Sequence, residues 1–303
     1  MKKYLQLLLL LIGLSPVCLF AWSTPFHRIG VQIAKENLSK QVIDKVNYYI
    51  KILSDAPPVY KDMVLAASWL DEIRQDIPYF SLYHYKSSVY NPDHFSCKVK
   101  SIPYDAVFAL RKSIAVLKSN SSSDFAKALS LRILIHVALD IHQPLHTVQL
   151  CSAKFPTGDK GGNKFPVSVK TKTGKMITSN LHKFWDNVFY IPVRSRSKAN
   201  NSKLQFLIRK DADALIHDVG YPVTDEVSLD PAVWAQESKS VAEKVAYNGI
   251  VPGQTLPVSY VEQATLIAKK RIVLGGIRLA RLLKEIFKGS KTTKKPLSVK
   301  IKR

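Results

Sequence analysis

Apolar residues return at three- and four-residue intervals along most of the chain, and strict alternation is scarce. Behind the cap-like Ser23, Thr24 and Pro25, residues 27–53 carry Ile29, Ile33, Val42, Ile43, Val46 and Ile50 at helical offsets, which predicts a helix there. DMVLAASWLDEIR predicts a second helix ended before Pro78, residues 104–118 a third, and residues 124–142 a long fourth broken by Pro144. Residues 180–190, 202–218, 231–248 and 258–287 supply the remaining helices. The breaks SSVYNPDHFSCKVKSIP, KFPTGDKGGNKFPVSVKTKTGK and VRSRSKANNSK are rich in Pro, Gly, Ser and Lys. FPVSVKTKTGKMIT predicts a short β-hairpin with its polar turn centred on Gly174. With no repeat and no shift of composition, the expected fold class is mainly α, a single multi-helix domain.

The first residues fall outside that pattern. MKKYLQLLLLLIGLSPVCLFA has a basic start at Lys2 and Lys3, an apolar run from Leu5 to Leu14 and a small residue, Ala21, at its end. It predicts a signal peptide over residues 1–21, cleaved behind Ala21, and hence an exported protein, periplasmic or secreted, starting at Trp22. Lipidation at Cys18 is disfavoured by Val17 before it. Nothing after residue 21 is apolar enough to span a bilayer. Of the 3 cysteines only Cys97 and Cys151 then remain, a pair that permits one disulfide tying two long loops together away from the chemistry.

The formal net charge of +22 favours polyanionic partners (nucleic acid, anionic lipid, phosphorylated substrates) without choosing among them. Part of the excess lies in KGSKTTKKPLSVKIKR, whose residues 289–303 read as a basic, solvated C-terminal tail.

The charged and titratable residues inside the helices are more selective. HVALDIHQPLH, residues 136–146, holds three of the chain's 8 histidines. His136 and Asp140 are four apart and share a helix face, and NLHKFWD repeats that offset with His182 and Asp186. His146 follows Pro144, where the chain has left the helix. One such pair alone fits an ordinary hydrogen bond on a helix surface. Two pairs with a further histidine between them fit a zinc site built from imidazole and carboxylate. Asp71 closes the apolar AASWLD, where an unpaired carboxylate is unfavourable, and His84 follows in LYHYK. His27 lies five residues after Trp22, whose freed α-amine and carbonyl can chelate a metal.

In that order WSTPFH, WLDEIR, HYK, HVALDIHQPLH, DKGGN, NLHKFWD, WAQES and GGIRLARLL resemble the zinc-dependent S1/P1 nucleases, which are related in fold to bacterial zinc phospholipases C. The resemblance covers residues 22–288 and implies three Zn2+. Asp71, His84, His136 and Asp140 would hold the first; the Trp22 amine and carbonyl, His27 and the other oxygen of Asp140 the second; His146, His182 and Asp186 the third. His142 falls outside the ligand set and is expected to be structural, and His94 and His217 to be ordinary surface residues.

The same resemblance implies an endonuclease that cuts single-stranded RNA or DNA to 5′-phosphorylated products, together with 3′-nucleotidase activity. A hydroxide held by the paired metals would attack phosphorus while the third metal neutralises the leaving O3′. Arg74 and Asp140 carry the catalytic roles, Arg74 by supporting the transition state. Asn163 would contact the base, with Asp159 positioning its loop, and Tyr85 or Tyr83 would stack on it or simply pack. At position 87 many relatives have aspartate; Ser87 can hydrogen-bond but not act as a carboxylate. Between His146 and Asn163 the chain looks longer than the fungal enzymes, so their base preference does not transfer.

Two other functions compete. A zinc phospholipase C shares the ligand cage but is disfavoured by the short Trp22–His27 spacing, by aspartate rather than glutamate at 186, and by the GGN loop. A non-catalytic nucleic-acid-binding protein with structural zinc does not account for a third metal with three protein ligands and an open position. No obligate protein partner and no stable membrane span are expected.

Overall fold

The computed structural model describes residues 22–54, 60, 62–171, 173–188, 202–221 and 228–288; the expected signal peptide, the basic tail and the end of the helix over 180–190 lie outside the described residues. Where a single helix is expected over 27–53 there are two: α1 (Thr24–Glu36) and α2 (Lys40–Ile52). Asn37 ends the first by donating from Nδ2 to the Ile33 carbonyl, and Ser39 starts the second by accepting from the Val42 N–H. The apolar spacing is nearly the same on both sides of this break, which hides it; the Ser39 cap is the local signal.

DMVLAASWLDEIR is less helical than its pattern suggests, with one 3-10 turn (Leu65–Ser68) running into the five-residue α3 (Trp69–Ile73). A second 3-10 segment, Pro78–His84, follows beyond the expected helix end, in a stretch for which the sequence predicts no element. The other elements lie close to their predicted bounds. They are α4 (Ala106–Lys118), α5 (Asp124–Asp140), α6 (Leu181–Asp186), α7 (Ser202–Val219), α8 (Pro231–Val241) and α9 (Val258–Ile286). The last turn expected of α8 is instead a π-helical turn, Ala242–Ala246. Two short strands, β1 (Ser88–Tyr90) and β2 (Val148–Leu150), pair in parallel with Ser88 opposite Val148. The predicted hairpin is present as β3 (Pro166–Lys170) and β4 (Met176–Asn180), turning through Gly174.

The fold is mainly α, and its centre is α1. That helix is buried from Pro25 to Ala34 and packs against α9, α7 and α5. Close packing against α9 depends on Gly276, because a Cβ there would stand 2.6 Å from the Gly30 carbonyl oxygen. From Ser130 onward α5 is buried as well, bringing His136 and Asp140 into the interior.

The turn after α5 is anchored from outside the site. Ser238 Oγ donates to the Ile141 carbonyl at 2.6 Å, and Arg271 Nε donates to the His142 carbonyl at 3.1 Å. Arg278 grips Glu237 with two hydrogen bonds of 2.7 Å. These contacts give WAQES and the helix that carries GGIRLARLL their part in the structure: Ser238 and Arg271 clamp the segment that separates Asp140 from His146, and Arg278 ties the two together. Among the described residues no helix is long and apolar enough to cross a membrane.

Candidate metal centre and its cavity

Six elements deliver the candidate ligands to one place. His27 comes from α1, Asp71 from α3, His84 from the end of the second 3-10 segment, and His136 and Asp140 from α5. His146 comes from a third 3-10 turn, Pro144–His146, and His182 and Asp186 from α6. All eight side chains are buried. The neighbourhood of β1 and β2 fixes two of them to each other: the Lys86 N–H donates to the His146 carbonyl at 2.7 Å, and His146 Nδ1 meets the His84 carbonyl at 2.8 Å.

Asp140 is the hub. Its Oδ1 lies 3.0 Å from His27 Nε2, and its Oδ2 lies 2.9 Å from His84 Nδ1 and 3.0 Å from His136 Nε2. Asp71 Oδ1 closes the group, 3.8 Å from His84 and 3.9 Å from His136. A further group is formed by His146 Nε2, 3.7 Å from Asp186 Oδ1, and His182 Nε2, 3.5 Å from Asp186 Oδ2. Ligand atoms about 2.1 Å from a tetrahedral zinc stand about 3.4 Å from each other, so these separations suit a shared cation. Three sets of side chains are spaced to hold a metal ion: His27, Asp71 and His136; His84, His136 and Asp140; and His146, His182 and Asp186. The first two share His136 and form one continuous cluster. The first also puts His27 with Asp71, which the family pattern assigns to different metals.

The surrounding hydrogen bonds prepare nitrogens for a cation. His136 Nδ1 lies 2.7 Å from the Ala67 carbonyl, and His182 Nδ1 lies 2.7 Å from that of Gly161, so each ring donates there and turns the Nε2 lone pair inward. Gly161 reaches this position at φ 62°, and a side chain there would run into the Leu145 carbonyl. His146 Nε2 is buried with no hydrogen-bond partner, and Asp71 Oδ1 has none either, although Arg74 Nη2 lies 3.3 Å away. A buried imidazole nitrogen and a buried carboxylate oxygen, each without a hydrogen-bond partner, fit a metal ion better than a purely structural role.

The charge states agree with that picture. Burial pushes the Asp140 carboxyl up, but His136, His146 and His27 outweigh it and hold it well below the usual range. Burial, together with neighbouring His136, brings His84 down to about 4 despite Asp140 and Asp71. His136 moves the other way: burial lowers it, and the facing Asp140 and Asp71 more than compensate.

Trp22 lies beside both parts of the centre. Its indole donates to the Leu139 carbonyl at 3.1 Å, one residue before Asp140, and the next amide, of Ser23, donates to the Asp186 carbonyl at 3.2 Å. His142 points away from the cluster. Its Nδ1 bonds the Ala138 carbonyl, its Nε2 lies 3.1 Å from Arg278, and burial together with Arg271 and Arg278 holds its pKa well below the usual histidine value. His94 and His217 are exposed.

The centre opens into a cavity of about 950 Å³ lined by His84, His146, His182, Arg74, Asn163 and Tyr85 among others. Ser87 lines it too. Tyr83 does not: it packs among Tyr79, Phe80 and Phe108 at ring distances of 5.6, 5.7 and 6.4 Å, so of the two tyrosines only Tyr85 faces the cavity. Asp159 holds the loop carrying Asn163, accepting from the Leu150 and Gly162 amides and the Tyr247 hydroxyl, each at 2.9 Å. Burial nevertheless pushes its carboxyl up to about 6. Cys97 and Cys151 are joined, as their pairing allowed, but the bridge is not remote from the site: Lys98, the next residue, lines the cavity.

One buried contact escaped the sequence. Gln143 Nε2 donates to Asp186 Oδ1 at 2.8 Å, and its Oε1 accepts from the Leu145 N–H. It therefore orients Asp186 toward His146 and His182. Gln143→Leu is expected to weaken divalent-metal binding at this group by about 10–100-fold, measured by competition with a chromogenic chelator. Unchanged affinity would show that Asp186 needs no such support.

A mainly α fold that gathers buried His/Asp groups at the foot of a basic cavity has the architecture of a metal-dependent hydrolase of phosphate esters. The chain belongs to the S1/P1 nuclease family, whose family model matches residues 22–288. Endonuclease 1 of Arabidopsis thaliana is 28% identical over 303 residues, covering 92% of this chain and 93% of that protein. Endonuclease 4 of the same plant is 27% identical over 287 residues, 88% and 89% of the two chains. Endonuclease 5 is 34% identical over 164 residues, about half of each (52% and 51%). The protein is accordingly a hydrolase of the nuclease class, with nucleic acid as its substrate.

Proposed function

We propose that this protein is an exported, zinc-dependent nuclease that hydrolyses single-stranded RNA or DNA to 5′-phosphorylated products and removes the phosphate from 3′-nucleotides. The observation that carries this is the continuous buried cluster around Asp140, with the His146–His182–Asp186 group beside it, opening into a cavity that has no carboxylate in its lining among the described residues. Asp71, His84, His136 and Asp140 would hold one zinc, and His146, His182 and Asp186 another. His27 and Asp140 would hold the third with the amine and carbonyl of Trp22, freed by cleavage behind Ala21. The hydrogen bonds that tether Trp22 and Ser23 to the backbone at Leu139 and Asp186 support that last assignment. Bound zinc would supply an acidified water and positive charge for the phosphate oxygens.

The other groups act on substrate directly. Arg74, paired to Asp71, would present its remaining N–H groups to the phosphate as charge builds on it. The Asn163 amide would pair with a base edge and Tyr85 would stack on the base; stacking accepts any base in a single strand. Ser87 can orient a water by hydrogen bonding but cannot take its proton.

The test gives the protein beginning at Trp22 single-stranded RNA and phosphatidylcholine in parallel, with and without a chelator. The expected result is chelator-sensitive release of 5′-phosphorylated nucleotides and no lipid hydrolysis. Lipid hydrolysis without nucleotide release would move the protein to the phospholipase chemistry. Inactivity on both by zinc-loaded protein would leave a binding role.

A further inference from the structure

We infer that the disulfide-stapled loop around Cys97 is a second, phosphate-binding wall of the substrate cavity, with Lys98 and Lys100 gripping the backbone of a single strand beyond the nucleotide being cut. The inference rests on the nuclease function proposed above and adds a preference for polynucleotide over mononucleotide.

Among the described residues six lysine and arginine side chains line the cavity: Arg74, Lys86, Lys98, Lys100, Lys160 and Lys164. Arg74 is engaged by Asp71, and Lys86 donates to Asp105 at 3.0 Å. Among the described residues the other four lysines have no ion-pair partner, and all four are exposed. Four uncompensated charges around one concavity repel each other, and that repulsion is relieved when a polyanion enters. A solvated basic face would not need to be concave, nor continuous with His84, His146 and His182.

The wall is also held in place. The stretch from Asn91 to Asp105 has neither helix nor strand, and a loop of that kind does not keep lysines on a cavity unaided. Here the Cys97–Cys151 disulfide ties it to the segment after β2, and the Lys98 N–H donates to the Pro156 carbonyl at 2.8 Å. The Cys151 N–H donates to the Tyr90 carbonyl at 2.8 Å, closing the staple from the other end. Lys160 and Lys164 flank Asn163 on the loop that Asp159 holds. The two loops therefore present four cations along the cavity from backbone that is held in place, the arrangement that tracks a single-stranded backbone without reading its sequence.

The test is a Lys98→Gln/Lys100→Gln variant, compared with the unaltered protein on an unstructured oligonucleotide and on a 3′-mononucleotide over a range of salt concentrations. Each single-strand phosphate deprived of its lysine removes about 0.7 from the slope of log affinity against log salt. The double variant should therefore lose about 1.4 of slope, and its oligonucleotide KM should rise about tenfold near 0.15 M salt relative to its mononucleotide KM. A Cys97→Ser/Cys151→Ser variant should move the same ratio in the same direction. An unmoved ratio and slope in the lysine variant would overturn the inference, as would an equal loss on both substrates. If the unaltered protein cuts no oligonucleotide at all, the nuclease function fails first, and binding anisotropy against salt still decides whether these lysines hold a strand.

Discussion

Asp140→Asn is expected to lower hydrolysis of single-stranded nucleic acid by more than about 100-fold, because losing merely a group behind a metal ligand already costs about 10–100-fold. Asp140 is itself in contact with three of the histidines: one oxygen faces His27 and the other faces both His84 and His136. Asparagine keeps the volume and the fold-facing packing but offers one carbonyl oxygen and no charge. The Nε2 atoms of His27 and His136 and the Nδ1 of His84 then lose the carboxylate that joins them. The measurement is kcat/KM together with zinc content, on protein whose thermal melt shows it folded. A variant that keeps its zinc and its rate would remove Asp140 from the centre of the site.

Gly276→Ala gives the second large effect, and its sign is the informative part. In an exposed helix interior, glycine to alanine stabilises by about 1 kcal/mol. At Gly276 the new methyl would stand 2.6 Å from the Gly30 carbonyl oxygen and 3.0 Å from Ile33, so α1 and α9 must separate. Such overpacking destabilises by about 1–3 kcal/mol, which exceeds the gain in propensity. The expected outcome is a lower Tm and, since α1 carries His27, weaker metal binding. A raised Tm would mean that the two helices are not in that contact.

Much of this architecture was legible in the chain. Long amphipathic segments such as α4, α7 and α9 have enough turns for their period to stand out, and the hairpin announces itself by alternation around Gly174. The residue types of the centre were legible because two His-x-x-x-Asp pairs are rare and carry their own geometry. What escaped was short or depended on distant partners. β1 and β2 are three residues each, and their parallel pairing joins segments far apart in sequence. The α1–α2 break is set by capping at Asn37 and Ser39, to which apolar spacing is blind. α3 is too short for a period to show, and its burial is imposed by α5 and the turn before it. Gln143 lies within the most informative stretch of the chain, yet its role depends on Asp186, brought close only by folding. Lys98 and Lys100 look like ordinary loop lysines until the disulfide sets them on the cavity wall.

The measurement that bears most directly on the metal centre is the zinc content of protein that begins at Trp22, determined by elemental analysis after removal of loosely bound metal. Three zinc ions per chain are expected, with loss of one when an extra residue precedes Trp22 and blocks its amine. A chain that holds no zinc, or keeps the same number with its N-terminus extended, would contradict the proposed ligand set.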